Sequence, residues 1–261
     1  MRRLAGQAGI QVAEHRLVPV GTQSVTVITR FDRTGKNRIP FISAATLLGL
    51  PQGDSGAYTL LADGVRQFGN DVPGDLRELW CRLVFSLLAS NYDDHLHTHG
   101  FLMHEPGRWS LSPAYDLNSV PKIDRARMSK TAITEDQAEP TMAGALAAAE
   151  RFGLKTAESK KILRKVFTAV SGWRKTGRQL RLKASTLDTY ASAFEHPLMD
   201  EARRLLGKQH SSRQAILLGI GRIVKATLEL FRRDQAQGKA IMAIANLWHI
   251  LQKHQKSSWT C

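Results

Sequence analysis

Cysteine is scarce: Cys81 and Cys261 are the two in a chain of 261 residues. They do not make the disulfide framework of a small secreted domain, and Cys81, set in the apolar run LWCRLVFSLL, reads as a small buried hydrophobe. Long uncharged apolar stretches are also missing, so no segment is expected to span a bilayer as a helix. The opening MRRLAGQAGI is too short and too weakly apolar for a signal peptide. A cytoplasmic protein without a membrane partner is the expectation. Internal repeats and low-complexity linkers are absent as well. Acidic residues thin out in the second part of the chain. From Arg151 onward there are 22 Lys and Arg against 7 Asp and Glu, whereas the part before it has 15 against 16. Such asymmetry suits nucleic acid or another acidic partner, and equally suits a set of solvated helix faces.

What is present is an ordinary soluble composition, 43% hydrophobic, in a chain long enough to bury a substantial core. Residues 9–31 read as two short strands with a turn at Gly21-Thr22, the second being the β-branched SVTVI. Ser43 caps a short helix, and another helix is expected near 58–68. Asp75 is placed to cap the next one, where Leu76, Leu79, Trp80, Leu83, Val84, Leu87 and Leu88 recur at helical spacing. GFLM and WSL are short enough for a hairpin. Helices are then expected at 141–152, with Gly153 as C-cap, and at 157–175, 188–206, 212–233 and 238–254.

The buried helix runs directly into NYDDHLHTHGFLMHEPGRWSLSPAYDLN, which holds two acidic stations, Asp93 and Asp116. One carboxylate can accept a hydroxyl proton while the other holds a divalent ion, the division of labour in phosphoryl transfer. The same stretch carries His95, His97, His99 and His104. Alternate histidines on a strand face one side and can share zinc or manganese, as in metal-dependent phosphoesterases. Those sites need ligands from later strand ends. His196, His210, His249 and His254 lie instead in helical, basic sequence.

RFDR at 30–33, RIPFISAATLLG behind it, NYDDHLHTHGFL at 91–102, WSLSPAYDLN at 109–118 and TAITEDQAEPTMAGALAAAERFGL at 131–154 together resemble the HipA family of toxin–antitoxin serine/threonine kinases. The resemblance extends from about residue 9 to about residue 206. It implies ATP and Mg2+, a protein substrate, a HipB-type antitoxin and operator DNA reached through it. Position by position it makes Asp93 the catalytic base and Asp116 the metal-binding aspartate, with Tyr115 beside the nucleotide. His95, Leu96, His97 and Thr98 would line the phosphates and metal, and Thr29, Arg30 and Phe31 would contact adenine. Lys160, Lys161, Arg164 and Lys165 would meet DNA phosphates.

Two departures stand against that pattern. Thr98 replaces the family's metal-facing Asn, shortening the reach of the donor. Residues 1–29 contain no lysine, and Gly6 and Gly9 make no phosphate cradle, so the family's Gly-rich loop and strand lysine have no counterpart here. The expectation is therefore a C-terminal kinase lobe with little or no activity alone, with a separately encoded N-terminal half as partner. The expected architecture is mainly α (α+β), a helical lobe over 1–207 with a few short N-terminal strands and a small hairpin, followed by a helical extension at 208–261. Two other readings are a catalytically dead lobe that binds antitoxin or DNA, and a phosphoesterase built on the histidines.

Overall fold

A computed structural model describes residues 1–21, 23–51, 56–122, 131–136 and 139–207. The expected helices at 212–233 and 238–254, and the expected extension as a whole, lie outside them. The chain opens with helix α1 (Arg2–Ala8), which buries Leu4, Ala5 and Ala8 and ends on Gly9 in the left-handed region at φ 93°. This helix was not expected. Its seven residues are too few for a periodic signal, and it owes its stability to packing on a later helix.

The chain then reaches β1 (His15–Val20) and β2 (Gln23–Ile28), an antiparallel hairpin turning through Gly21. The first strand is shorter than read from sequence: residues ahead of it instead meet a later loop, through a bridge between Val12 and Ala114. Next come β3 (Arg33–Thr34) and β4 (Asn37–Arg38), a second antiparallel pair, and β5 (Phe41–Ser43). Ser43 accepts the Thr46 N–H and starts α2 (Ala44–Leu47), as expected of a Ser N-cap.

β6 (Gly56–Ala57) leads into α3 (Tyr58–Phe68), and α4 (Val72–Leu88) follows. The apolar residues of α4 surround most of its axis: Leu76, Leu79, Trp80, Leu83, Val84, Phe85 and Leu88 are all buried. Trp80 satisfies its indole N–H on the Ala145 carbonyl at 3.1 Å. The N-cap is Asp71, whose carboxylate accepts from Gly74, with Pro73 in the first turn. Asp75 therefore does not cap α4. Its carboxylate reaches across to accept the Leu111 N–H at 3.0 Å.

Beyond α4, β7 (Gly100–Glu105) and β8 (Arg108–Leu111) form the expected hairpin, with β5 completing a three-stranded sheet in the order β5-β7-β8. β9 (Thr131–Ala132) pairs in parallel with β6. The helical remainder comprises α5 (Met142–Ala148), a 3-10 turn (Ala149–Phe152) closed by Gly153 at φ 69°, α6 (Thr156–Ser171), α7 (Trp173–Gln179), α8 (Ala184–Phe194) and helical residues 197–207. Two expected helices are each divided. Gly172 separates α6 from α7, and Glu195 and His196 separate α8 from the last helix. α4 is enclosed by α1, α3, α5 and α6. Among the described residues no helix is long and apolar enough to cross a membrane.

Candidate active site

Helix α4 ends at Ala89, and Ser90 takes a left-handed φ of 50° that turns the chain into the acidic loop. From there to His99 the backbone runs in turns; the Thr98 N–H closes one of them on the His95 carbonyl at 2.9 Å. The histidines thus do not alternate on a strand, which begins at Gly100. His99 is buried and points its Nε2 at Asp94, whereas His97 is exposed and His95 half-buried. Among the described residues no group of three or more His, Cys, Asp or Glu side chains is arranged to share a metal ion.

The two neighbouring aspartates have opposite surroundings: Asp93 is exposed, while Asp94 is 3% exposed. Burial by itself would push the Asp94 carboxyl up. His99 at 2.8 Å and the Tyr58 hydroxyl outweigh that and hold it below the ordinary carboxylate range. Burial, followed by the Asp94 charge, pushes the Tyr58 phenol well above its usual value, so it stays a donor. Thr131 adds a hydrogen bond from its hydroxyl to the Asp94 carbonyl at 2.9 Å. A charged group so deeply buried is tolerated because it is fully engaged, and the result is a rigid pedestal under Asp93.

The Asp116 segment is fixed from below in a similar way. Arg82, 3% exposed on α4, holds Glu78 at 2.9 Å and donates to the Ser112 carbonyl at 2.7 Å. Ala114 pairs with the Gln11 and Ala13 backbone. The chain then enters Asp116 at φ 52°, a left-handed conformation uncommon outside glycine but more accessible to Asp than to most residues. The Asn118 amide donates to Asp116 Oδ1 at 2.8 Å.

Three hydrogen bonds clamp the two loops together. Tyr115 donates its hydroxyl to the His97 carbonyl at 2.8 Å, the Asn118 N–H donates to the Asn91 side chain at 3.2 Å, and the Val120 N–H donates to the Ser90 carbonyl at 3.0 Å. Asp93 and Asp116 are therefore carried on adjoining loops. Burial pushes the Tyr115 phenol up to about 12, which keeps it protonated as the donor in this clamp.

Tyr115 also faces Phe31 and Phe41, with ring centroids 5.7 and 6.3 Å away. These rings, with Ile28, Thr29, Arg30 and Asp32, line a cavity of about 290 Å³. Phe41 lies directly over Gly100, where any Cβ would strike its ring. Arg30 grips Asp32 through two hydrogen bonds, the longer at 2.8 Å, so its guanidinium is engaged beside the cavity.

The remaining expected site residues are placed as follows. Leu96 is buried and packs on Gly56, where a Cβ would collide with it. The Thr98 hydroxyl donates to the His95 carbonyl at 2.8 Å and lies 3.3 Å from the His95 N–H, so it is occupied within its own turn. Lys161, Arg164 and Lys165 are exposed on α6, and Lys160 is half-buried. His99, expected as a metal ligand, instead supports Asp94; Asn91, Asp94, Tyr58, Arg82 and Phe41 were not singled out by the sequence reading. Asn91 and Asp94 lie within its motif, but nothing local distinguishes a supporting carboxylate from a presented one.

Comparison with known proteins agrees with this architecture. The HipA chain of the Shewanella oneidensis MR-1 complex of HipA, HipB and operator DNA superposes with a TM-score of 0.63 at 22% identity, over 78% of this chain and 54% of that one. The Helicobacter pylori proinflammatory kinase CtkA gives a TM-score of 0.50 at 14% identity, over 79% of this chain and 81% of its own. At these identities the likeness establishes the fold. The candidate kinase Y4dM of Sinorhizobium fredii is 30% identical over 141 residues, 48% of this chain and 34% of Y4dM. The chain thus spans about a third of that relative and about half of the Shewanella HipA. A family model, the HipA-like C-terminal domain, matches residues 1–173, and the chain belongs to that family.

Proposed function

We propose that this domain is the catalytic lobe of a HipA-like serine/threonine kinase, transferring the γ-phosphoryl group of ATP to a protein hydroxyl. The observation that carries this reading is the Tyr115 junction. One residue forms a wall of the aromatic cavity, precedes Asp116 in the chain and hydrogen-bonds the loop that bears Asp93. A flat base would stack against the surface lined by Phe31, Phe41 and Tyr115, with Thr29 and Arg30 at its edge, and its phosphates would extend toward the two carboxylates.

In the transfer, Asp93 accepts the proton of the attacking hydroxyl as its oxygen bonds to the γ-phosphorus. The bond from that phosphorus to the bridging oxygen breaks, and ADP leaves with the electron pair. Magnesium takes hard oxygen donors, and the exposed Asp116 carboxylate is one. When bound, it would neutralise charge on the phosphate oxygens. Thr98 stands second as a ligand, because its hydroxyl already serves its own turn. His95 and His97 would face the phosphates at the loop surface.

The partners of the reading follow from the Shewanella complex, whose HipA sits with HipB and operator DNA. We propose an antitoxin of HipB type for this domain, and contact with operator DNA through it. Transfer of labelled γ-phosphate to a protein acceptor, weak in the wild type and abolished in Asp93→Asn, tests the activity. Equal labelling by both would overturn it.

A further inference from the structure

A second concavity, of about 730 Å³, lies against α1, α4, α6 and α7, and its lining differs in kind from that of the aromatic cavity. Five cations point to it: Arg77 from α4, Lys161, Arg164 and Lys165 from α6, and Lys175 from α7. Among the described residues no carboxylate lines it. Arg77 is paired with Glu158 at the margin, but among the described residues Lys161, Arg164, Lys165 and Lys175 are in no ion pair. Gln7, Thr168, Thr176 and Gln179 add neutral polar groups. Lys165 lies over Gly9 at the C-terminal end of α1.

Like charges gathered on one concave wall repel each other unless an anion joins them. Scattered surface lysines need no such partner. These come from three helices whose packing fixes their spacing, which suits a compact anion with several charged oxygens.

We infer that this concavity binds a small polyphosphate, of the class of tripolyphosphate or a nucleoside oligophosphate, at a site separate from the aromatic cavity. The same phosphate chemistry could be presented by a nucleic-acid backbone, and the two sources differ in shape: a compact ligand enters the concavity, whereas a duplex lies across it. Affinity falls steeply with added salt, as expected for exposed charges.

The test is calorimetric titration of the full chain with sodium tripolyphosphate, with a parallel titration of a short random-sequence DNA duplex. Arg164→Glu and Lys175→Glu alter exposed side chains and leave the core intact. Lys160→Glu makes the same charge change on α6, outside the lining. The inference expects tripolyphosphate to bind, Arg164→Glu and Lys175→Glu each to weaken it on the order of tenfold, and Lys160→Glu and Asp116→Ala to leave it unchanged. Loss of binding in Asp116→Ala would assign the ligand to the other site and overturn the inference. Equal weakening by Lys160→Glu, or binding of the duplex with no binding of tripolyphosphate, would overturn it too.

Discussion

The Tyr115 hydroxyl donates to the His97 carbonyl oxygen across 2.8 Å, joining the Asp116 loop to the Asp93 loop. The ring and the hydroxyl of this side chain have separable duties. Tyr115→Phe keeps the ring beside Phe31 and Phe41 but removes a bond worth about 1 kcal/mol. It is expected to bind ATP within a few-fold of the wild type while phosphoryl transfer falls further. Tyr115→Ala removes a wall of the cavity, and its ATP affinity is expected to drop on the order of tenfold. Calorimetric titration and a transfer assay on both variants separate the two effects. Equal loss of affinity in both would show that the hydroxyl is not a tether.

The buried Asp94 supports the loop that presents Asp93. Removing it leaves Tyr58 and His99 facing an empty site, and Asp94→Ala is expected to cost about 3 kcal/mol or more. Tyr58→Phe removes one donor and is expected to cost about 1 kcal/mol. Urea denaturation should show lower midpoints at an unchanged slope for both. A wild-type midpoint for Asp94→Ala would remove the carboxylate from the structural account.

Asp75 gives the pH prediction. Burial pushes its carboxyl up to about 6 from the ordinary 3.8, against the opposing hydrogen bond from Leu111. Between those two values the folded chain holds the proton more tightly than the unfolded chain does. This group therefore stabilises the acid side, and its contribution is lost as pH rises toward about 6. Asp75→Asn keeps an acceptor for the Leu111 N–H and cannot ionise. The melting temperature of the variant relative to the wild type is expected to climb from pH 4 to pH 7. A difference that stays flat over that range would contradict the burial account.

Much of this fold is legible in the sequence where its cause is local. The Ser43 cap, the apolar repeat from Leu76 to Leu88, the Gly153 stop and the β7–β8 hairpin follow from neighbouring residues. Misread features have distant causes. Asp75 sits where a cap could be, but Asp71 takes that role and the partner of Asp75 lies 36 residues away. Asp93 and Asp94 are identical in type and adjacent, and only tertiary burial separates the presented carboxylate from the supporting one. The histidines alternate in sequence, but the turns at 92–99 cancel the strand periodicity that a shared metal requires. Family resemblance supplied the candidate roles of Asp93 and Asp116, and the structure adds the clamp that puts their loops side by side.

The central claim is that Asp116 and the Phe31–Phe41–Tyr115 cavity form one nucleotide site. Calorimetric titration of the purified chain with ATP, with and without magnesium, in wild type, Asp116→Ala and Asp93→Asn, tests it most directly. The account predicts magnesium-dependent ATP binding that disappears in Asp116→Ala and persists in Asp93→Asn. Magnesium-dependent binding that is unchanged in Asp116→Ala, or no binding by the folded wild type, would contradict it.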